Sequence, residues 1–533
     1  MAEPLEPIIL TFGGGVNARR RALDIDIQEC REGENFALDP LRNAFNRRPA
    51  FDLTATATNG QEIRGYAQLK TKAGTLTTLI QAGTTVYSWD GASSFTSVGT
   101  VSSSSRLRGG LNHNFTLDDY TIITDLEKAT VVKMWDGTTF QDYTHNLGGS
   151  LYAKFCRVAG ERAWLGNITT STATPHVILG SKISDGDNLS SSNLPSSALG
   201  YDSPFYLVTP DLRPINGVEQ GFGQFLFSTD RGRLFRLTGS NAFDFAIEQF
   251  YEGSAVAGTE AIVNIGNDIV MGLEGRIESL SGTDAFGDVE TNDLSLWIAP
   301  QIDTIVSWKI AYDRKTQRVY CFPTDKAACY VLYKSVLMKN QSVVQINQNN
   351  ANLSPWSKWT TAHALGFQPS TVIPIIDPVT LTDAVYMGDT SGRIFLIEGG
   401  GAQDGGTTDI TTYRTSKILR LPDADAFDVE GWILYAAGFS TTVTLTFEYQ
   451  GIGLFDQAIT IPLSASASAA AYSGDFYYSG STYYNQGFNA RLSRRYFAAA
   501  GNADLVQIKA SVSGNEVFDL HELGLRFKAV VRP

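Results

Sequence analysis

Up to about residue 397 the chain is built of short apolar runs broken by polar turns. Thr75–Ile80, Tyr120–Thr124, Arg162–Leu165, Gln224–Ser228, Asp268–Met271, Gln317–Phe322 and Ala384–Met387 are each rich in β-branched or aromatic residues. Such side chains pack well on a pleated surface, so each run predicts a strand. Gly, Asp and Ser fill the intervals, as turns require. Past residue 407 the pattern changes. Thr444–Tyr449 alternates apolar and polar positions strictly, Leu505–Val512 does so from Val506 onward, and Leu523–Val530 closes the chain. A period of two predicts half-buried strands of an antiparallel sheet.

Repetition groups the first set of strands. Tyr87-Ser88-Trp89-Asp90-Gly91 returns as Lys133-Met134-Trp135-Asp136-Gly137, a step of 46 residues, each followed by a Phe (Phe95, Phe140). Asp-Gly between two strand-like runs predicts a hairpin, because glycine accepts the positive φ of a two-residue turn. A second signature occurs at Asp230–Phe235, Leu273–Ile277 and Asp389–Phe395. Its glycines Gly232 and Gly275 stand 43 residues apart, and Gly275 and Gly392 stand 117 apart, which reads as three units of 39. Units of about 40–50 residues with several short strands indicate a β-propeller, whose blades bury their faces on one another. Two sandwiches with accidental repeats are the competing arrangement. The expected fold class is therefore all-β, a β-propeller of about six to seven blades followed by a C-terminal antiparallel β-sandwich.

Composition narrows the function classes. The 533 residues are 43% hydrophobic and 18% charged, enough for a large core. The net charge is −13, whereas a protein that grips nucleic acid presents a basic face. An acidic wall repels phosphate and suits a conduit through which DNA slides, although solubility alone also explains the charge. Four scattered cysteines, Cys30, Cys156, Cys321 and Cys329, form neither a disulfide framework nor a C-x-x-C pair. They predict reduced thiols, with Cys321 and Cys329 facing each other across a hairpin. No signal peptide and no apolar run of membrane-spanning length is present. Metalloprotease, serine-hydrolase and Walker motifs are absent, and His113, His145, His176, His363 and His521 are isolated. No catalytic residue, metal site or cofactor is expected.

The opening segment follows neither period. Phe12-Gly13-Gly14-Gly15-Val16-Asn17 leads to Arg19, Arg20 and Arg21, an acidic stretch, Cys30, Glu34-Asn35, Asp39, and Arg47-Arg48-Pro49 before Phe51. Glycines permit a tight bend, and Pro49 forces Arg48 extended. This order of signals resembles the opening of the tail nozzle and head-completion proteins of short-tailed bacteriophages. There a Gly-Gly-Val-(Ser/Asn) start, a Cys before Glu-Asn, and an Arg-Pro-(Gly/Ala) lead into a β-propeller. Asn17, Cys30, Asn35 and Pro49 stand where that pattern expects them. Arg162–Gly166 with Ser181–Asp187, Leu226–Gly239, Ser307-Trp308 with Tyr312-Asp313, and Trp356-Ser357-Lys358-Trp359 continue the resemblance in the family's order, over residues 12–397.

What the resemblance implies is a structural virion protein of the phage tail, assembled in the host cytoplasm, and not an enzyme. Copies, six in this family, would form a ring beneath a head-to-tail adaptor. The channel would retain the packaged genome and conduct it during ejection without sequence-specific contact. The implied partners are further copies of the chain, the adaptor, tail fibre or spike proteins, and viral DNA. The alternative is a propeller glycoside hydrolase or lyase acting on surface polysaccharide. A WD-type cellular scaffold is the third possibility.

The expected organisation is an N-terminal arm and propeller closure at 1–50, a propeller at 51–398, a Gly-rich hinge at 399–407 and the sandwich at 408–533. The Ser190–Leu199 and Asn340–Leu353 stretches read as exposed loops. Arg19, Arg20, Arg21, Arg47 and Arg48 are candidates for docking an acidic neighbour. Tyr477, Tyr478, Tyr483 and Tyr484, in a Gly/Ser-rich loop, suggest either a contact surface or a sheet edge packed on its own domain. Deleting residues 1–50 is expected to leave a folded monomer that forms no ring.

Overall fold

The computed structural model describes residues 8–39, 44–109, 119–189, 203–221, 224–239, 245–266, 268–282, 289–336, 353–401, 403–420, 427–436, 441–450, 457–463, 492–501, 505–512 and 519–529. Four-stranded antiparallel units follow one another along the chain, at 63–100, 107–142, 152–208, 215–252, 262–293 and 308–359. A seventh is made of Thr371–Ile376, Asp383–Gly388 and Arg393–Gly399, with Ala50–Thr56 as its outer strand. These are the blades of a seven-bladed propeller, numbered here 1 to 7. The first strand of each blade contributes at least one lining residue to a common axial cavity, among them Tyr66, Arg108, Arg157, Val218, Ile262, Ile310 and Val372. The ring closes where Ala50–Thr56 pairs antiparallel with Arg393–Gly399, from Ala50 opposite Gly399 to Thr56 opposite Arg393. No helix among the described residues is long and apolar enough to cross a membrane.

Each of the seven apolar runs read from the sequence lies in or overlaps the second strand of a different blade. That strand is flanked within its blade and covered on both faces by neighbouring blades. Thr121–Asp125 is buried throughout, and Arg162–Thr169 at all but its last position. The repeats have the same origin. Both Trp-Asp-Gly turns join the third and fourth strands of their blades, with Gly91 at φ +87° and Gly137 at +98°. The Gly232, Gly275 and Gly392 turns join second to third strands in blades 4, 5 and 7. The 117-residue interval is thus two blade steps, not three units of 39, because blade 6 carries the Gln/Asn-rich stretch between its last two strands. That stretch and Ser190–Leu199 lie, apart from Leu353, outside the described residues.

Two six-stranded antiparallel sheets make up the rest. One contains Phe427–Ala436, Leu492–Gly501 and Asp519–Ala529, joined by Ile8–Leu10, Phe36–Asp39 and Ala44–Arg47. The other contains Thr412–Thr415, Leu419–Arg420, Thr441–Gln450, Gln457–Leu463 and Leu505–Val512, joined by Gly33–Glu34. The segment expected to be an arm is therefore woven into both sheets. Phe12, Phe36 and Phe45 are buried in the main core, so deleting residues 1–50 removes strands and core side chains as well as an arm.

The glycine-rich run is likewise not a free hinge. Gly401 N–H donates to the Asp52 carboxylate at 2.9 Å, and Gly405 N–H to Phe51 C=O at 2.7 Å. A Cβ on Gly401 would sit 2.2 Å from Asp52 Oδ1, so a side chain there would displace the carboxylate that holds the run.

Candidate functional site

The residues that carry the N-terminal resemblance converge on one buried junction, against the outer strand of blade 6. That strand, Trp356–Trp359, buries both tryptophans completely although it is the last of its blade. What covers it is the opening segment. Val16 N–H donates to Trp356 C=O at 2.9 Å and Gly15 N–H to Ser354 C=O at 2.7 Å. A Cβ on Gly15 would stand 1.9 Å from Trp356 O, a contact no side chain tolerates. Trp359 Nε1 and Ser357 Oγ both donate to Phe36 C=O.

Around this strip the motif side chains are held by one another. Asn17 donates to Glu29 at 2.7 Å, and Glu29 also accepts the Ser354 and Asp26 N–H groups. Burial pushes the Glu29 carboxyl up, against the pull of those hydrogen bonds. Cys30 is fully buried beside Gly15, and burial raises its thiol to about 11. Asn35 takes a positive φ of 61°, which asparagine accepts more readily than most residues. Its Nδ2 donates to Thr411 C=O and Thr360 Oγ1, while its Oδ1 accepts Thr360 N–H and Arg48 Nε–H. Pro49 turns the chain into the closing strand, and its carbonyl accepts from Arg48.

Arg48 is the centre of the junction. All five of its N–H donors are used: one on Asn35, one on Pro49 C=O, one on Thr360 C=O and two on Asp404. Arg48 and Asp404 side chains are both fully buried, and the guanidinium lies 5.0 Å from the Phe367 ring centroid. Arg47 is 5% exposed. Neither arginine presents its charge to a neighbour, which corrects their reading as docking groups. Asp404, hidden in sequence by its glycines, is the partner that composition did not reveal.

Arg19, Arg20 and Arg21 are exposed. Their loop is anchored at both ends. Ala18 and Arg19 N–H groups donate to Trp297 C=O at 2.7 and 3.1 Å, and Ile418 N–H donates to Ala22 C=O at 2.9 Å. The result is a fixed basic triplet on an acidic protein, with the exposed Leu23 beside it. Tyr477, Tyr478, Tyr483 and Tyr484 lie outside the described residues.

The propeller axis is crossed by ion pairs. Arg108 of blade 2 reaches Glu260, ahead of blade 5, and Thr371 of blade 7. Arg157 of blade 3 meets Glu219 of blade 4 at 3.6 Å. The cavity left is about 110 Å³. Among the described residues Glu29 is the carboxylate held above its ordinary range, and it lies at the junction, away from the axis. No three His, Cys, Asp or Glu side chains among them gather as a cation site.

No family model and no curated protein matches the sequence. Solved structures match its fold. YCF48 bound to D1 peptide is 10% identical with a TM-score of 0.40, over 66% of this chain and 96% of that one. The WD40 domain of Toxoplasma gondii coronin is 10% identical with a TM-score of 0.37, over 69% of this chain and 88% of that one. BBS1N in complex with ARL6DN is 8% identical with a TM-score of 0.40, over 66% of this chain and 98% of that one.

Proposed function

We propose that this chain is a structural virion protein, the tail nozzle or hub of a short-tailed bacteriophage. Copies, six by the family's habit, form a ring whose channel retains the genome and then conducts it. The observation that carries the reading is the convergence of Asn17, Cys30, Asn35 and the Arg48-Pro49 pair on one junction. The signature on which the resemblance rests is thus one cooperative structural unit rather than four coincidences of sequence. In the assembled protein the two C-terminal sheets stack as a β-sandwich beside the propeller wedge.

Two further features support the arrangement. The Arg108–Glu260 and Arg157–Glu219 pairs block each propeller's own axis, so DNA passes between copies and not through one. The net charge of −13 lines that passage with a surface that does not hold phosphate. The anchored triplet Arg19–Arg21 then docks on an acidic face of the next copy or of the adaptor, closing the ring head-to-tail. Tail fibre or spike proteins attach outside.

Light scattering with negative-stain imaging of the purified chain, alone and with the adaptor, tests this. An annulus with a hole wider than a DNA duplex is expected, and the triple change of Arg19, Arg20 and Arg21 to Glu should leave folded monomers. A wild-type chain that stays monomeric in both conditions and is missing from purified virions would end the proposal.

A further inference from the structure

The axial cavity holds a charge imbalance that the ring does not use. Arg64 pairs with Glu62, Arg108 with Glu260 and Arg157 with Glu219. Lys154, on the first strand of blade 3, lines the same cavity yet makes no hydrogen bond or ion pair with any described residue. Lys309, on the first strand of blade 6, spends its ammonium on two backbone carbonyls, Pro369 and Ser370 at 2.7 and 2.8 Å. Lys128 reaches Asn167 and Thr169, again neutral partners. Of these lysines Lys154 is the one that lines the cavity, where Arg108, Arg157 and Lys154 face two carboxylates, Glu219 and Glu260.

The Arg157–Glu219 pair leaves room for a further ligand of the guanidinium. Glu219 Oε1 accepts its neighbour Gln220 N–H at 2.9 Å, and the Arg157 guanidinium stands 3.6 Å from the other oxygen, beyond hydrogen-bond reach. Arg157 already lines the cavity, with Nη1 donating to Cys156 C=O at 3.2 Å. Apolar walls from Val218, Ile262 and Val372 lower the local dielectric and strengthen any charge contact made inside. The volume of about 110 Å³ equals roughly three to four waters at about 30 Å³ each. It falls well short of the ~300 Å³ at which drug-sized ligand pockets begin. A sugar chain does not fit, whereas a phosphate or a carboxylate does.

We infer that the propeller axis is a binding site for a small oxyanion, phosphate or carboxylate, held by Lys154 with Arg157 as second donor. The site is independent of the ring and stands whether or not copies assemble.

Calorimetric titration of the full chain with inorganic phosphate and, separately, acetate, at fixed ionic strength in chloride, tests it. Saturable binding of at least one of the two is expected. Lys154→Met should weaken it at least tenfold while keeping the wild-type circular dichroism. Arg20→Ala, which alters only the surface triplet, should bind as wild type. Phosphate binding alone, or acetate alone, identifies which oxyanion the site takes. If Lys154→Met does not fold, Lys154→Gln replaces it with the same expectation. Absence of saturable binding to both anions, or affinity unchanged in the folded Lys154 variant, overturns the assignment.

Discussion

Arg48 shows how much a single buried charge can organise. Its five donors are satisfied by the next residue, Pro49, and by three distant parts of the chain: Asn35, Thr360 and Asp404. Removing one partner of a buried pair strands the other, at a cost of about 3–5 kcal/mol. Arg48→Ala and Asp404→Ala should each lower the unfolding free energy by that amount, read from the urea midpoint. Replacing both by Met and Leu should cost distinctly less than the two single losses summed, because no charge is left behind. Lys309 offers a test of opposite sign. Burial pulls its ammonium down to about 8, aided by Arg106 and Arg108 and opposed by Glu260 and Glu62. The folded protein holds this proton less tightly than the unfolded chain, so the unfolded state binds more protons between pH 8 and the ordinary lysine range. Stability relative to Lys309→Met should therefore rise with pH through that window, by on the order of 1–2 kcal/mol. A flat difference across pH 7.5–10 would show that the ammonium is not desolvated. The cysteines give a third outcome. All four are buried, with Cys30 raised to about 11 and Cys156 to about 12, and Cys321 and Cys329 also pushed up. Thiolate is the reactive form, so a thiol reagent at pH 8 should label none of them in the native protein and all four in denaturant.

At the level of elements, legibility followed burial. The second strand of every blade showed itself because neighbours cover both its faces and its residues are mostly buried and rich in β-branched or aromatic side chains. Fourth strands hid: Phe95–Thr100, Phe140–Asp142 and Ala246–Glu252 are mostly half-exposed or exposed, and their composition matches that of turns. The Trp-Asp-Gly turns were legible for a local reason. Asp90 accepts the Ala92 and Ser94 N–H groups and Asp136 the Thr138 and Thr139 N–H groups, so the signal lies within five residues. The N-terminal strands carried no such signal. They are two to four residues long, and partners such as Thr412–Thr415 and Asp519–Ala529 lie more than three hundred residues away. The axial pairs were equally out of reach, since only closure of the ring brings Arg108 to Glu260. The three opening glycines were read as a bend, but the bend is not what fixes Gly15. Its Cα approaches Trp356 so closely that any side chain collides with the Trp356 backbone. Gly15→Ala should cost more than about 2 kcal/mol. Gly74→Ala, at φ +87° with nothing within 4 Å of the added methyl, should cost only about 1 kcal/mol from its backbone conformation. Thermal melts that ranked the two equally would place the opening segment elsewhere than on blade 6.

For the whole molecule, the consequence of this weave is that the first fifty residues serve two bodies at once. Ala50–Thr56 closes the propeller, while the strands between Ile8 and Arg47 complete both C-terminal sheets. The two bodies should therefore differ in their dependence on the opening segment. A chain lacking residues 1–47 keeps the closing strand and its pairing with Arg393–Gly399, so blades 1 to 7 retain their ring of contacts. It loses four of the twelve strands in the two C-terminal sheets, together with Asn35, which holds Arg48, and the cover over Trp356 and Trp359. Half-built sheets expose unpaired edges and apolar faces, which proteases and aggregation both find. Limited proteolysis followed by mass spectrometry should then give a resistant fragment near residues 48–400 and rapid loss of everything beyond residue 408. The intact chain should resist across the junction, because Asp404 and Gly405 are tied to Arg48 and Phe51. Equal resistance of the C-terminal part with and without residues 1–47 would mean that its sheets fold alone and that the opening strands merely decorate them.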